Sequence, residues 1–151
     1  MSRVSRQTGL TLIEVLVALL VLSIGILGAA IVQLNALKQT DSAMRSSQAS
    51  FVVSDLFERV RANSDVDYGL GSLSQAPSSG DLNNPRDQDL FDFADQLRRM
   101  LGDDVEATVV HAGARLRVAV DWNDSRAQGE DAVRRTLTLD SLVRPARSAG
   151  P

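Results

Sequence analysis

From Val15 to Val32 every residue is apolar or glycine except Ser23, and no charge interrupts the run. With its flanks it reaches the roughly 20 residues that a helix needs to cross the hydrocarbon core of a bilayer. Beyond Val32 the pattern changes from continuous to periodic. Leu34, Leu37, Met44, Phe51, Val52, Leu56 and Val60 recur at helical spacings, with Lys38, Gln39, Asp41, Arg45, Asp55, Glu58 and Arg59 between them. No proline lies between Leu10 and Ala62. A single helix over that span would be about 80 Å long at a rise of about 1.5 Å per residue. The alternative is a separate core helix after a break between Gln33 and Asn35.

Further on the punctuation changes. Gly69, Gly71, Pro77, Gly80 and Pro85, with four serines among them, mark residues 63–86 as a surface loop. Leu90, Phe91, Ala94, Leu97 and Leu101 share one face of a predicted helix from Asp89 to Leu101, and Gly102 is its stop signal. Three strand-like runs follow: Val105–Val110, Leu116–Trp122 and Val133–Leu139. His111 to Ala114 makes a tight hairpin between the first two, and Asn123 to Asp131 is a polar loop. Leu116, Val118, Val120 and Trp122 alternate with Arg115, Arg117, Ala119 and Asp121, so one sheet face is apolar. That face is expected to pack on the helical stripe, giving an α+β fold. Residues 144–151 read as a tail.

Composition narrows the function. The net charge of −3, with no basic run, argues against nucleic acid as a partner. There are no cysteines, so disulfides, thiol nucleophiles and thiolate metal sites are excluded. His111, the sole histidine, falls in the predicted turn and makes a poor metal ligand alone. Asp87, Asp89, Asp92 and Asp95 cluster near a helix start, where the dipole favours acidic residues. Calcium is the alternative, but the spacing is not that of an EF-hand. Neither a nucleophile elbow nor a phosphate loop is present. No enzyme, cofactor or metal centre is expected.

The N-terminus carries the strongest signal. Arg3 and Arg6 precede the apolar run with no acidic residue near them, which orients the N-terminus to the cytoplasm. Gly28-Ala29-Ala30 would suit a signal-peptide cleavage site. Against that stands Glu14 at the entry of the run, since a carboxylate at membrane depth costs on the order of 2.5–3.5 kcal/mol. Neither a disposable signal nor a plain anchor has a use for it.

Gly9-Leu10-Thr11-Leu12-Ile13-Glu14-Val15, followed by the aliphatic run, resembles the type IV prepilin signature. The stretches Ile13–Leu20 and Ser23–Gly28 are most similar to PilV-type minor pilins. Leu10 stands where phenylalanine is commonest in that family. The resemblance implies cleavage by a prepilin peptidase after Gly9 and methylation of the new amine on Leu10. It also implies that Glu14 pairs with the Leu10 amine of a neighbouring subunit during assembly. The fold implied is pilin-like: a long N-terminal helix, its first half transmembrane, packed on a small antiparallel sheet.

On this basis residues 1–9 are a leader, 10–33 a transmembrane and assembly helix, and 34–62 its amphipathic continuation. Residues 63–86 are the loop, 87–143 a helix with a three-stranded sheet, and 144–151 the tail. The expected partners are the peptidase, other major and minor pilins, and the inner membrane. The chain would span that membrane once, with its C-terminal domain in the periplasm, before entering a filament. The implied function is type IV pilus assembly, with twitching motility and adhesion as implied roles. A type II secretion pseudopilin shares the same opening. A membrane-tethered periplasmic binding module is the alternative from another class.

Overall fold

The computed structural model describes residues 11–124 and 133–143. It is α+β: a long N-terminal apolar helix, a second helix and a small antiparallel sheet. The chain divides into two compact units, Met1–Leu37 and Lys38–Pro151.

Helix α1 runs Leu12–Ala62 without a break. In the first unit its side chains are exposed almost throughout, including Leu16, Leu20, Ile24 and Leu27. The Ser23 hydroxyl donates to the Leu19 carbonyl at 2.7 Å, so the one hydroxyl of the apolar run is satisfied within the helix.

In the second unit, residues of α1 from Lys38 onward meet α2 (Pro85–Leu101) and three strands, β1 (Glu106–Ala112), β2 (Arg115–Asn123) and β3 (Arg134–Leu142). The sheet order is β1-β2-β3, antiparallel at both joints. Gly113, at φ 59°, supplies the positive φ that the two-residue hairpin between β1 and β2 requires. Ala107, Val109, Leu116, Val118, Val120 and Trp122 point to one side and join the core with Leu90, Phe93, Ala94 and Leu97 of α2. Each large aliphatic side chain buried there contributes about 1.5–3 kcal/mol.

The core face of α1 differs from the predicted stripe. Ala49, Val52, Val53, Leu56, Phe57 and Val60 are buried, whereas Leu34, Leu37, Met44 and Phe51 are exposed. At about 100° per residue Met44 and Phe51 fall on the side of the helix opposite Ala49 and Val53. The large apolar residues of α1 thus belong to two faces, and only one is covered.

Residues 63–86 are more than a surface loop. Tyr68, Leu70 and Leu73 are buried in the core, and Leu70 forms a bridge with Val109 of β1. A short 3₁₀ turn, Leu73–Gln75, follows. Helix α2 begins at Pro85 rather than Asp89: Asn84 caps it by accepting from the Asp87 N–H, and proline suits the first turn. Gly102, at φ 112°, ends it.

Polar side chains tie the elements together. Arg59 bonds Asp55 at 2.8 Å, Asp89 at 2.9 Å and Asp92 at 3.2 Å, joining α1 to α2. The hydrogen bond to Asp89, opposed by burial, raises the Arg59 pKa above the usual guanidinium range. Tyr68 is fully buried and donates to Asp89 at 2.7 Å while accepting from Asn63 at 3.0 Å. Asp89→Ala therefore removes the acceptor of a buried hydroxyl and one partner of Arg59. The expected loss of stability is about 2–3 kcal/mol, read as a fall in the denaturation midpoint. A change under about 0.5 kcal/mol, the level of an ordinary surface substitution, would contradict this reading.

Burial, reinforced by the neighbouring Asp89 carboxylate, pushes the Tyr68 phenol from 10.0 up to about 12. Between those two values the folded state holds a proton that the unfolded state has lost. The contribution of Tyr68 is therefore complete below pH 10 and disappears as pH rises through 12. Tyr68 is the sole tyrosine, so phenolate absorbance reports it alone. The midpoint should lie near 12 in the folded chain and near 10 in denaturant; coincident midpoints would refute the burial argument.

Candidate functional site

The residues expected to matter lie at the start of α1. Glu14 is in the first turn of the helix, exposed, with its backbone N–H bonded to the Thr11 carbonyl at 2.9 Å. From there the helix presents an unbroken apolar surface. It is long and apolar enough to cross a membrane, and the apolar stretch has no buried residue of its own. A Cβ added at Gly25 or Gly28 would meet nothing within 4 Å, so the helix surface is open at both. Gly9 and Leu10, the expected cleavage and methylation positions, lie outside the described residues.

An apolar surface of this length without a covering layer needs lipid or other helices around it. A carboxylate held at its entry adds a charge that neither environment solvates well. The local chemistry is thus that of an exposed apolar helix with one carboxylate in its first turn.

Residues 4–30 match the prokaryotic N-terminal methylation motif. The match ends within α1 and does not extend to α2 or the sheet. It supports a type IV pilin-like or pseudopilin-like subunit, and it points to a structural component rather than a catalyst. The apolar helix that carries the motif is consistent with membrane anchoring. No curated protein and no solved structure matches the chain.

The remaining sequence candidates are engaged in structural contacts. Asp87 bonds Arg86 at 2.9 Å, and Asp92 accepts from Gln88 at 2.8 Å as well as from Arg59. Asp95 pairs with Arg99 at 2.8 Å, one helical turn away. Among the described residues no group of three His, Asp or Glu side chains is arranged to hold a metal. His111 is part of β1 rather than an exposed turn, and its side chain is only 10% exposed. Its Nδ1 accepts from the Tyr68 backbone N–H at 3.4 Å and lies 3.5 Å from Asp67 Oδ1. That contact fixes the residues just before the Leu70 bridge.

One buried polar contact had no signal in the sequence. Ser42 of α1 donates to Asp124 at 2.6 Å, and Arg135 of β3 pairs with the same carboxylate at 2.7 Å. Ser42 and Asp124 are both almost fully buried. Their separation along the chain hides the pairing from any local pattern.

Proposed function

We propose that this chain is a minor pilin-like subunit of a type IV pilus, acting in pilus assembly. The observation that carries the proposal is the methylation motif over residues 4–30, with Glu14 in the first turn of an uninterrupted apolar helix. A prepilin peptidase cleaves after Gly9 and methylates the amine of Leu10. The subunit then spans the inner membrane once, N-terminus cytoplasmic, with the unit from Lys38 onward in the periplasm.

Extraction into a filament replaces lipid by sibling helices around the apolar segment. Glu14 meets the Leu10 amine of a neighbour, a pair suited to fixing register more than to adding net stability. Leu37, Met44 and Phe51 are exposed apolar residues at seven-residue spacing, and they extend the packing surface beyond the membrane. A type II secretion pseudopilin is the second reading, because the same N-terminal motif serves both machines.

The test is recovery of the chain in filaments sheared from cells. The subunit is expected in that fraction when the peptidase is present and only in membranes when it is deleted. Recovery in filaments regardless of the peptidase would overturn the proposal. A narrower test uses Phe51, whose side chain is 75% exposed. Phe51→Asp should leave folding stability within about 0.5 kcal/mol, since surface changes of similar helix propensity cost little. Filament recovery should nevertheless fall several-fold. Unchanged recovery would remove Phe51 from the packing surface.

A further inference from the structure

Tyr68 is held by three other residues, and one of those contacts is open to switching by a proton. Its phenol is shared between Asp89 and Asn63. Its backbone N–H donates to Nδ1 of His111 at 3.4 Å. An accepting Nδ1 carries no hydrogen, so the neutral ring holds its proton on Nε2. Histidine is also the side chain that ordinarily changes charge between about pH 5 and 8.

Protonation turns that acceptor into a donor. The Tyr68 N–H and the His111 Nδ1–H then face each other, and the bond between them is lost. Another acceptor is at hand, because Asp67 Oδ1 lies 3.5 Å from the same nitrogen. The Asp67 carboxylate is exposed and also accepts the Gly69 N–H at 2.8 Å. A small turn of the ring brings Nδ1–H within charge-assisted hydrogen-bond range of it. One proton thus exchanges a main-chain contact for an ion pair.

The surroundings of the ring are mapped on every side. His111 lines an open pocket of about 270 Å³ with Ser64, Asp65, Val66, Asp67 and Gly113, which gives water access to it. Asp65 and Asp67 are the charged groups of that pocket. Across the sheet the residues in register with His111 are Leu116 of β2 and Ser141 of β3, both uncharged. Arg61 of α1 reaches Ser141 at 2.7 Å. Arg86 of α2 donates to the Asp67 and Gly69 carbonyls at 2.7 and 3.3 Å. Carboxyls ordinarily titrate below the histidine range and guanidiniums above it.

The next anchor along the segment does not involve the ring. Leu70 exchanges backbone hydrogen bonds with Val109 of β1 at 2.9 and 2.8 Å. We propose that His111 is a proton-operated latch: neutral, it holds the Tyr68 main chain against β1; protonated, it releases Tyr68 and takes Asp67. Acid thereby loosens the stretch between the end of α1 and the Leu70 bridge while the sheet domain stays folded. The latch does not depend on how the N-terminus is processed or on any partner.

The test is a pH titration of the full chain in detergent micelles, followed by nuclear magnetic resonance. His111 is the sole histidine, so its ring signals are unambiguous. The Tyr68 amide signal should move with the same midpoint as the His111 ring. Hydrogen-exchange protection of Tyr68, corrected for the intrinsic rate, should fall about tenfold from the basic to the acidic side, the weight of one hydrogen bond. The Leu70 amide should change by less than about twofold.

His111→Asn puts an acceptor that does not titrate at the δ position, so the Tyr68 amide should stay protected on both sides. His111→Phe offers no acceptor and should leave that amide unprotected on both. If either variant fails to fold, the titration of the natural chain decides alone. A Tyr68 amide indifferent to the His111 midpoint, or a pH response that survives in His111→Asn, would overturn the proposal. So would equal loss of protection at Tyr68 and Leu70, which marks opening of the whole segment rather than one switched contact.

Discussion

A chain carrying Glu14→Leu is expected to insert into the membrane at least as well as the natural chain, lose its leader, and fail to appear in filaments. Two opposed terms set this outcome. A carboxylate near the apolar segment costs up to about 2.5–3.5 kcal/mol at full membrane depth, so removing it makes insertion easier. In the filament proposed above the same change would leave the Leu10 amine of a neighbouring subunit charged and unpaired. Removing one partner of a buried ion pair costs about 3–5 kcal/mol, or at least a hundredfold in assembly. Glu14→Asp keeps the charge on a shorter arm and should recover part of the loss. Comparing membrane and sheared-filament fractions measures both terms together. Natural levels of Glu14→Leu in filaments would show that the carboxylate has no part in assembly.

Trp122→Ala should be the most damaging single change in the sheet domain. Trp122 lies on β2 with 1% of its surface exposed, among the core side chains of both helices and the sheet. Truncating a buried tryptophan costs about 3–5 kcal/mol, a large part of the 5–15 kcal/mol, roughly, that holds a typical domain together. Among the described residues its buried Nε1 has no hydrogen-bond partner, so the loss there is one of packing. Trp122→Phe keeps most of the volume, so it should cost far less. Far-ultraviolet circular dichroism against denaturant gives both values. A Trp122→Ala effect below about 1 kcal/mol would mean that the core collapses around the gap.

The apolar N-terminal helix and the strand alternation were legible because each rests on a local rule. Continuous apolarity and an out-of-place carboxylate at Glu14 need no tertiary context, and neither does the alternation from Leu116 to Trp122. The core face of α1 was legible only in part. A search for large apolar residues picks up Met44 and Phe51, whereas the buried face is completed by Ala49 and Ser42. Small residues mark where another layer approaches closely, but they have no signature in a hydropathy pattern. Exposed large residues such as Phe51 obey the same helical period and mimic a core.

Tyr68, Leu70 and Leu73 were hidden by the glycines and serines around them. Their burial depends on the edge of β1, which lies far along the chain. The start of α2 at Pro85 was recoverable from Asn84-Pro85 alone, since an amide cap followed by proline is a start signal. The acidic cluster was ambiguous until the positions of Arg59 and Tyr68 were known, because pairing across elements decides whether carboxylates are structural.

The processing proposed for this chain would leave a covalent trace. Intact mass spectrometry of the chain, purified from cells with and without prepilin peptidase, reads it. A chain that begins at Leu10 and carries one added methyl group, only when the peptidase is present, is the expected result. A chain that begins near Ile31, or one that still carries Arg3 and Arg6 in peptidase-positive cells, would contradict it.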